Sequence, residues 1–254
     1  MYYLLPVKNT AGKGKFGNSG RHAVNASQSI IAIYGQFWQQ EYHFEWQFKM
    51  NSSKRLLLGT KNRGKVAELS EMLRGLNIEV ISLADLASLA DVEESGSTFA
   101  ENARLKAVAY ARHSQMPTLA DDSGFEVEAL GWRPGVLSAR YGGATTSFDA
   151  KIEMILREIG ASGIASRAAR FSCAVAFAAP DGSLIAETEG VVRGVVAEEP
   201  RGVGGFGYDP IFVPDGFSIS FAEMTSAEKG ALSHRGRALL QIIPYLRTFF
   251  GNLT

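Results

Sequence analysis

Two acidic pairs, Glu93-Glu94 and Asp121-Asp122, and one basic turn, Gly59-Thr60-Lys61-Asn62-Arg63-Gly64-Lys65, carry the residue types from which metal-assisted phosphate chemistry is built. Carboxylate oxygens are hard donors that suit Mg²⁺, which takes one or two of them together with water and substrate phosphate. The turn matches the phosphate-loop spacing G-x-x-x-x-G-K up to its last position, where Val66 replaces the Ser or Thr whose hydroxyl would hold the magnesium. Free backbone N–H groups and the positive end of a helix dipole still attract phosphate there, helped by Lys61, Arg63 and Lys65. The cation must then be held by the acids. Between the two acidic pairs, Asn102 and Lys106 share a helix face at i, i+4, so a second lysine can reach the same phosphates.

Another stretch, Gly202-Val203-Gly204-Gly205-Phe206-Gly207, has the spacing G-x-G-x-x-G of dinucleotide-binding turns. Such a turn must open a helix, and YDPIFVPDGF follows instead, where the closely spaced prolines forbid one. A Rossmann assignment is excluded on that ground. The single cysteine, Cys173, lies in the apolar run FSCAVAFAA and reads as a buried structural thiol. It leaves no intramolecular disulfide, which suits a reducing compartment.

The elements that must position these groups alternate between strand and helix from Lys54 onward. RLLLGT is a short strand running into the basic turn, and TKNRGKVAELSEMLRGL is a helix with Val66, Leu69, Met72, Leu73 and Leu76 at helical spacing. NIEVISL is a second strand. STFAENARLKAVAYARH is a helix opened by the capping box Thr98 and Glu101. PTLADDSGFEV is expected to be a strand ending at the acids in a Gly turn, and FDAKIEMILREIG a helix. Two or three strands surround the hairpin turn Asp181-Gly182 in RFSCAVAFAAPDGSLIAETEGVVRGVVAEE. The last helix, SHRGRALLQIIPYLRTFF, is capped by Ser233 and expected to kink at Pro244. The class is mixed α/β.

Lys plus Arg equals Asp plus Glu at 26 each in the 254 residues, so no global field favours nucleic acid or an anionic membrane. No secretory signal or long apolar span is visible, and a cytoplasmic location is expected. Residues 1–53 read differently from residues 54–254. A Gly, Asn, Ser and Lys-rich stretch leads into the aromatic SIIAIYGQFWQQEYHFEWQFKM, which has the pattern of a hairpin or strand pair. This N-terminal part is read as an extension outside the catalytic domain, with Met50 an alternative start.

TKNRGKVAEL, EESGSTFAENARLKA, LADDSGFEVEALGWRPGVLSARYGG, GFGYDPIFVPDG and TSAEKGALSHRGRAL, in this order, resemble the motifs of the inosine triphosphate pyrophosphatase or Ham1-like family. The resemblance spans residues 54–250 and leaves 1–53 without a counterpart. Lys61, where glycine is common, and Pro244 depart from the pattern. The resemblance implies an elongated mixed β-sheet with flanking helices, two lobes around a nucleotide cleft, and a homodimer. It implies hydrolysis of ITP, dITP and XTP to the monophosphate and pyrophosphate, which keeps deaminated purines out of DNA and RNA. Carried over by motif, Thr60, Lys61, Asn62, Arg63, Gly64 and Lys65 contact the triphosphate, with Lys106 added from its helix position. Glu93 and Asp122 bind Mg²⁺, Asp122 is the proton acceptor and Ser123 is a substrate contact. Phe206, Gly207, Tyr208, Asp209, Lys229, His234 and Arg235 hold the nucleotide.

The residue types support this division. Attack of water on the α-phosphorus builds negative charge that Mg²⁺, Lys65, Lys106 and Lys229 can offset. Asp122 is the assigned base, with Asp121 or Glu94 able to share the role. Phe206 can stack on a purine, and the amides and side chains of His234 and Arg235 can donate to a 6-oxo group, a position where adenine offers a donor instead. A phosphate-loop NTPase or kinase, and a nucleotide-binding module without turnover, are the alternative readings.

Overall fold

The computed structural model describes residues 54–86 and 89–251. The expectations for residues 1–53 therefore lie outside the described residues. Seven strands form one mixed sheet: β1 (Arg55–Leu58), β2 (Glu79–Ser82), β3 (Thr118–Val127), β4 (Arg133–Pro134), β5 (Ala168–Ala178), β6 (Leu184–Val196) and β7 (Phe212–Pro214). Their order is β2-β1-β3-β5-β6-β7, with β4 on the far end of β3. β1 runs parallel to both β2 and β3, whereas β5, β6 and β7 continue the sheet antiparallel. Among the described residues five α-helices accompany it: α1 (Arg63–Leu73), α2 (Phe99–Ser114), α3 (Phe148–Ala161), α4 (Ser226–Leu232) and α5 (His234–Gly251).

The sequence pattern explains the layers. Leu56, Leu58, Leu119, Val175 and Phe177 face α1 and α5, where Leu69, Leu73, Leu239, Ile242 and Leu246 are buried against them. Each such side chain contributes about 1.5–3 kcal/mol by leaving water. On the opposite face, Ala103, Ala107 and Ala111 of α2 meet Ala120, Ala174 and Ala176, small side chains that let the helix approach the sheet closely. A third cluster, with Phe125, Phe171, Phe212 and Phe221 packed on Ile152 and Ile155 of α3, fills the region beyond the middle of β3.

Several local expectations hold and others change. Thr98 and Glu101 form the predicted capping box on α2. Ser233 Oγ accepts the Gly236 amide at 3.1 Å, as a cap for α5. That helix runs on through Pro244 without ending. α4, between Thr225 and Ser233, had no counterpart among the expected elements. The chief correction concerns the acids. Asp121 and Asp122 do not end a strand, because β3 continues past them and pairs with β5 from Thr118 to Val127. Gly124 lies inside that strand, where a Cβ would stand 2.3 Å from the Gly135 carbonyl oxygen, so the glycine serves close approach and not a turn.

Candidate active site

The basic turn lies between β1 and α1, and Asn62 caps α1 by accepting the Lys65 amide at 3.2 Å. Thr60 Oγ1 accepts the Asn62 amide at 3.2 Å, which tightens the turn. Lys65 reaches inward to Asp121, Nζ to Oδ2, at 3.0 Å. Lys61 points away to a solvent-exposed pair with Asp91 at 2.7 Å, and Arg63 is exposed.

Strand alternation sends the two aspartates to opposite faces. Asp122 meets α2: Asn102 Nδ2 donates to its Oδ2 at 3.1 Å, and Lys106 Nζ stands 3.5 Å from its Oδ1. Lys106 also holds Glu94 at 2.6 Å, and Arg140 approaches the same glutamate at 3.6 Å. Burial pushes the Asp122 carboxyl above its ordinary value against the pull of Lys106 and Lys65, and the nearby Glu94 charge adds to the rise. A carboxylate so raised is a better proton acceptor. Asp121 is the reverse case. Burial alone would raise it, but Lys65, Arg235 and Lys106 outweigh burial and hold it well below the usual carboxylate range. That fully buried, doubly paired group is not available as a base, which removes it from the candidates for that role.

Glu93 and Glu94 sit in the segment before α2, as expected, and diverge in use. Glu94 is already compensated by Lys106 and Arg140. Glu93 is exposed and makes no ion pair or side-chain hydrogen bond among the described residues. It lines a second cavity, of about 310 Å³, which shares Thr60, Glu94 and Lys106 with the main one. No cluster of three or more His, Cys, Asp or Glu side chains stands ready for a metal among the described residues. The chemistry of the donors fits Mg²⁺, since Glu93 and Asp122 each offer a hard carboxylate oxygen, Glu93 from the wall of the second cavity and Asp122 from that of the main one.

The second half of the chain closes the cavity from the other side. Phe206 lies against Gly64, so the ring packs on the first turn of α1. Lys229 Nζ sits 4.7 Å from the centre of the Phe206 ring and pairs with Glu68 at 2.7 Å and, in close contact, with Asp209. Asp209 also accepts the Phe206 amide at 2.7 Å, which fixes the loop, and Gly205 and Gly207 adopt positive φ around it. Tyr208 stacks on Phe125 at 5.1 Å and donates to the Ser138 carbonyl at 3.0 Å. His234 stacks on Phe171 with rings 4.7 Å apart and 9° from parallel. Burial, then the charges of Arg235 and Lys229, hold His234 well below its ordinary value, so the ring is neutral. Its Nδ1 is buried without a hydrogen-bond partner among the described residues. Arg235 is turned to the protein: it bonds Asp121 at 3.2 Å, Ser123 Oγ at 2.9 Å and, in close contact, Glu68. Its guanidinium is therefore a support below Phe206, and helix geometry leaves the His234 and Arg235 amides as the free donors of that end.

These groups border one cavity of about 200 Å³, whose walls include Thr60, Asn62, Lys65, Lys106, Asp122, Ser123, residues 206–209, Lys229, His234 and Arg235. Lys61, Arg63, Gly64 and Glu93 are not in its wall, although Gly64 backs Phe206 and Lys61 and Glu93 border the second cavity. Glu68, one turn after Lys65 on α1, was not anticipated; its spacing from Lys65 was the available signal. Cys173 is buried as expected, and burial pushes its thiol up.

A family model described as the Ham1 family matches residues 56–245. A dITP/XTP pyrophosphatase of Halalkalibacterium halodurans is 46% identical over 193 residues, covering 76% of this chain and 99% of that protein. One of Streptomyces avermitilis is 42% identical over 199 residues, covering 78% of this chain and 99% of its own length. A solved HAM1 protein from Coxiella burnetii matches with a TM-score of 0.70 and 39% identity, over 76% of this chain and 98% of that one. With the family model matched over residues 56–245 and relatives 46% and 42% identical over 76% and 78% of its length, the chain belongs to the Ham1 family.

Proposed function

We propose that this chain hydrolyses aberrant purine nucleoside triphosphates, ITP, dITP and XTP, to the monophosphate and pyrophosphate. The observation that carries this reading is that Lys65, Lys106, Asp122, Phe206, His234 and Arg235 all line a single cavity, in which we assign the first three to the triphosphate end and the last three to the purine end. The curated relatives named dITP/XTP pyrophosphatase support it. In this reading residues 60–65, with Lys106, hold the triphosphate, and Ser123 and residues 206–209 line the nucleotide. Asp122 accepts the proton of the attacking water, with Asn102 and Lys106 fixing its carboxylate. Glu93 and Asp122 would hold Mg²⁺, which when bound offsets charge on the phosphates and orients them. A 6-oxo purine accepts from the helix α5 amides, while adenine leaves buried donors facing a donor at a cost of roughly 1–3 kcal/mol each.

The catalytic unit is residues 54–254, acting as a cytoplasmic homodimer without nucleic acid or membrane. Among the described residues no helix is long and apolar enough to cross a membrane. A chain starting at Met50 should keep both its melting temperature and its turnover.

Incubation with ITP, ATP and GTP plus Mg²⁺, followed by product identification, tests the function. IMP and pyrophosphate from ITP, with ATP spared, is the expected result. IDP with phosphate would return a phosphate-loop NTPase, and binding without turnover a nucleotide-binding module.

A further inference from the structure

Six side chains form a continuous chain of alternating charge beneath the cavity: Asp209, Lys229, Glu68, Arg235, Asp121 and Lys65. Lys229 joins Asp209 to Glu68, Arg235 joins Glu68 to Asp121, and Asp121 ends the series on Lys65. Three carboxylates and three cations cancel, so the row carries no net charge. Its first member fixes the Phe206 loop and its last belongs to the phosphate turn.

Asp121 is the one member that touches a residue from each end. A single oxygen, Oδ2, does this: it meets Lys65 Nζ at 3.0 Å and Arg235 Nε at 3.2 Å, with Ser123 Oγ at 3.4 Å. The other oxygen, Oδ1, is buried with no hydrogen-bond partner among the described residues. The carboxylate is fully buried and its two cations meet at one oxygen, and such a group is costly to leave unpaired. A shift of Lys65 toward a phosphate would leave Arg235 the one remaining cation on Oδ2, and its guanidinium carbon lies 5.6 Å from the centre of the Phe206 ring.

We propose that Asp121 is a positioning residue that couples the triphosphate end of the site to its purine end, so that occupancy by phosphate adjusts how firmly Arg235 supports the base platform. The inference rests on the assignment of the two ends given under the proposed function. Asp121 touches no substrate atom in this arrangement and acts through Lys65 and Arg235.

The test is a mutant cycle in the full chain with Mg²⁺. The kcat/KM for ITP is measured for Lys65→Met, Arg235→Met and the double variant, first with Asp121 intact and then combined with Asp121→Asn. With Asp121 intact, the double variant should depart from the product of the single effects by about fivefold or more, the scale expected of contacting residues in one network. In the Asp121→Asn background that departure should fall below about twofold, whereas a merely structural residue would lower all variants alike and leave it in place. Asp121→Glu, which keeps the charge, should restore part of the coupling. Additivity with Asp121 intact, or equal coupling in both backgrounds, overturns the inference. Should Asp121→Asn fail to fold, Asp121→Glu takes its place as the second background: coupling weaker than with Asp121 intact supports the inference, and equal coupling overturns it. An unmodified chain that does not turn over ITP overturns the proposed function and this inference with it; additivity in a chain that does turn it over overturns the inference only.

Discussion

Phe206 and Gly64 are in direct contact: a Cβ added to Gly64 would stand 2.5 Å from Cδ1 of the Phe206 ring and 2.8 Å from its Cγ. This contact joins the loop before β7 to the start of α1, and so holds the proposed purine platform against the proposed phosphate turn. Gly64→Ala must displace the ring or the turn. The expected outcome is a loss of about 10- to 100-fold in kcat/KM for ITP, the scale of a misplacement near 1 Å. Steady-state kinetics checks it, and an undisturbed kcat/KM would mean that Phe206 does not set the platform.

Asp122 is the proposed proton acceptor because burial raises its carboxyl while Asn102 and Lys106 hold it in place. Asp122→Asn keeps the shape and removes the acceptor. At saturating Mg²⁺, kcat should fall by about 10²- to 10⁴-fold, the contribution of a positioned general base. Retention of most of kcat in single-turnover measurements would take Asp122 out of the mechanism.

Glu93 and Glu94 separate by their partners, since Glu94 is paired with Lys106 and Arg140 whereas Glu93 carries no ion pair among the described residues. Glu93→Gln should therefore raise the Mg²⁺ concentration for half-maximal activity by about tenfold or more. Glu94→Gln should shift that concentration less and destabilise the fold more, because it leaves Lys106 with a missing partner. Chelation by EDTA should stop turnover in the unsubstituted chain. Titration of activity against Mg²⁺ distinguishes these outcomes.

His234 is neutral in the folded protein and takes up a proton once unfolded. Its folded value lies well below 6.5, so below about pH 6.5 the unfolded chain binds a proton that the native state refuses. Stability is unaffected by this group above that pH and falls as pH drops below it, by up to about 1.4 kcal/mol per pH unit. Urea denaturation between pH 5 and 7 measures the slope. His234→Gln should flatten it, and an identical slope in the variant would show that another group is responsible.

Much of this site was legible in residue types and spacing. The order strand, basic turn, helix followed from RLLLGTKNRGKVAEL, and the Thr98 capping box correctly opened the helix that brings Asn102 and Lys106 to Asp122. What the pattern hid were relationships set by faces and by long-range contact. ADDSG has the composition of a turn, yet tertiary pairing with β5 keeps it extended, because Gly124 is needed for close passage by Gly135 and Ser138. Arg235 has the chemistry of a ligand contact, and only the positions of Asp121 and Glu68 show that its guanidinium is committed to the protein. Glu68 offered only its spacing from Lys65 as a sign, since its partners lie on α4 and α5, far along the chain.

The uninterrupted pairing of β3 with β5 from Thr118 to Val127 works as a vernier for the chemistry. Asp121 and Asp122 are chemically the same residue, and only their parity along β3 decides that one faces Lys65 and Arg235 while the other faces Asn102 and Lys106. A slip of one position would exchange their duties and leave the composition unchanged. Insertions or deletions between Thr118 and Asp121 should therefore be far more damaging than most substitutions there, because they would hand the substrate the aspartate that belongs to the scaffold.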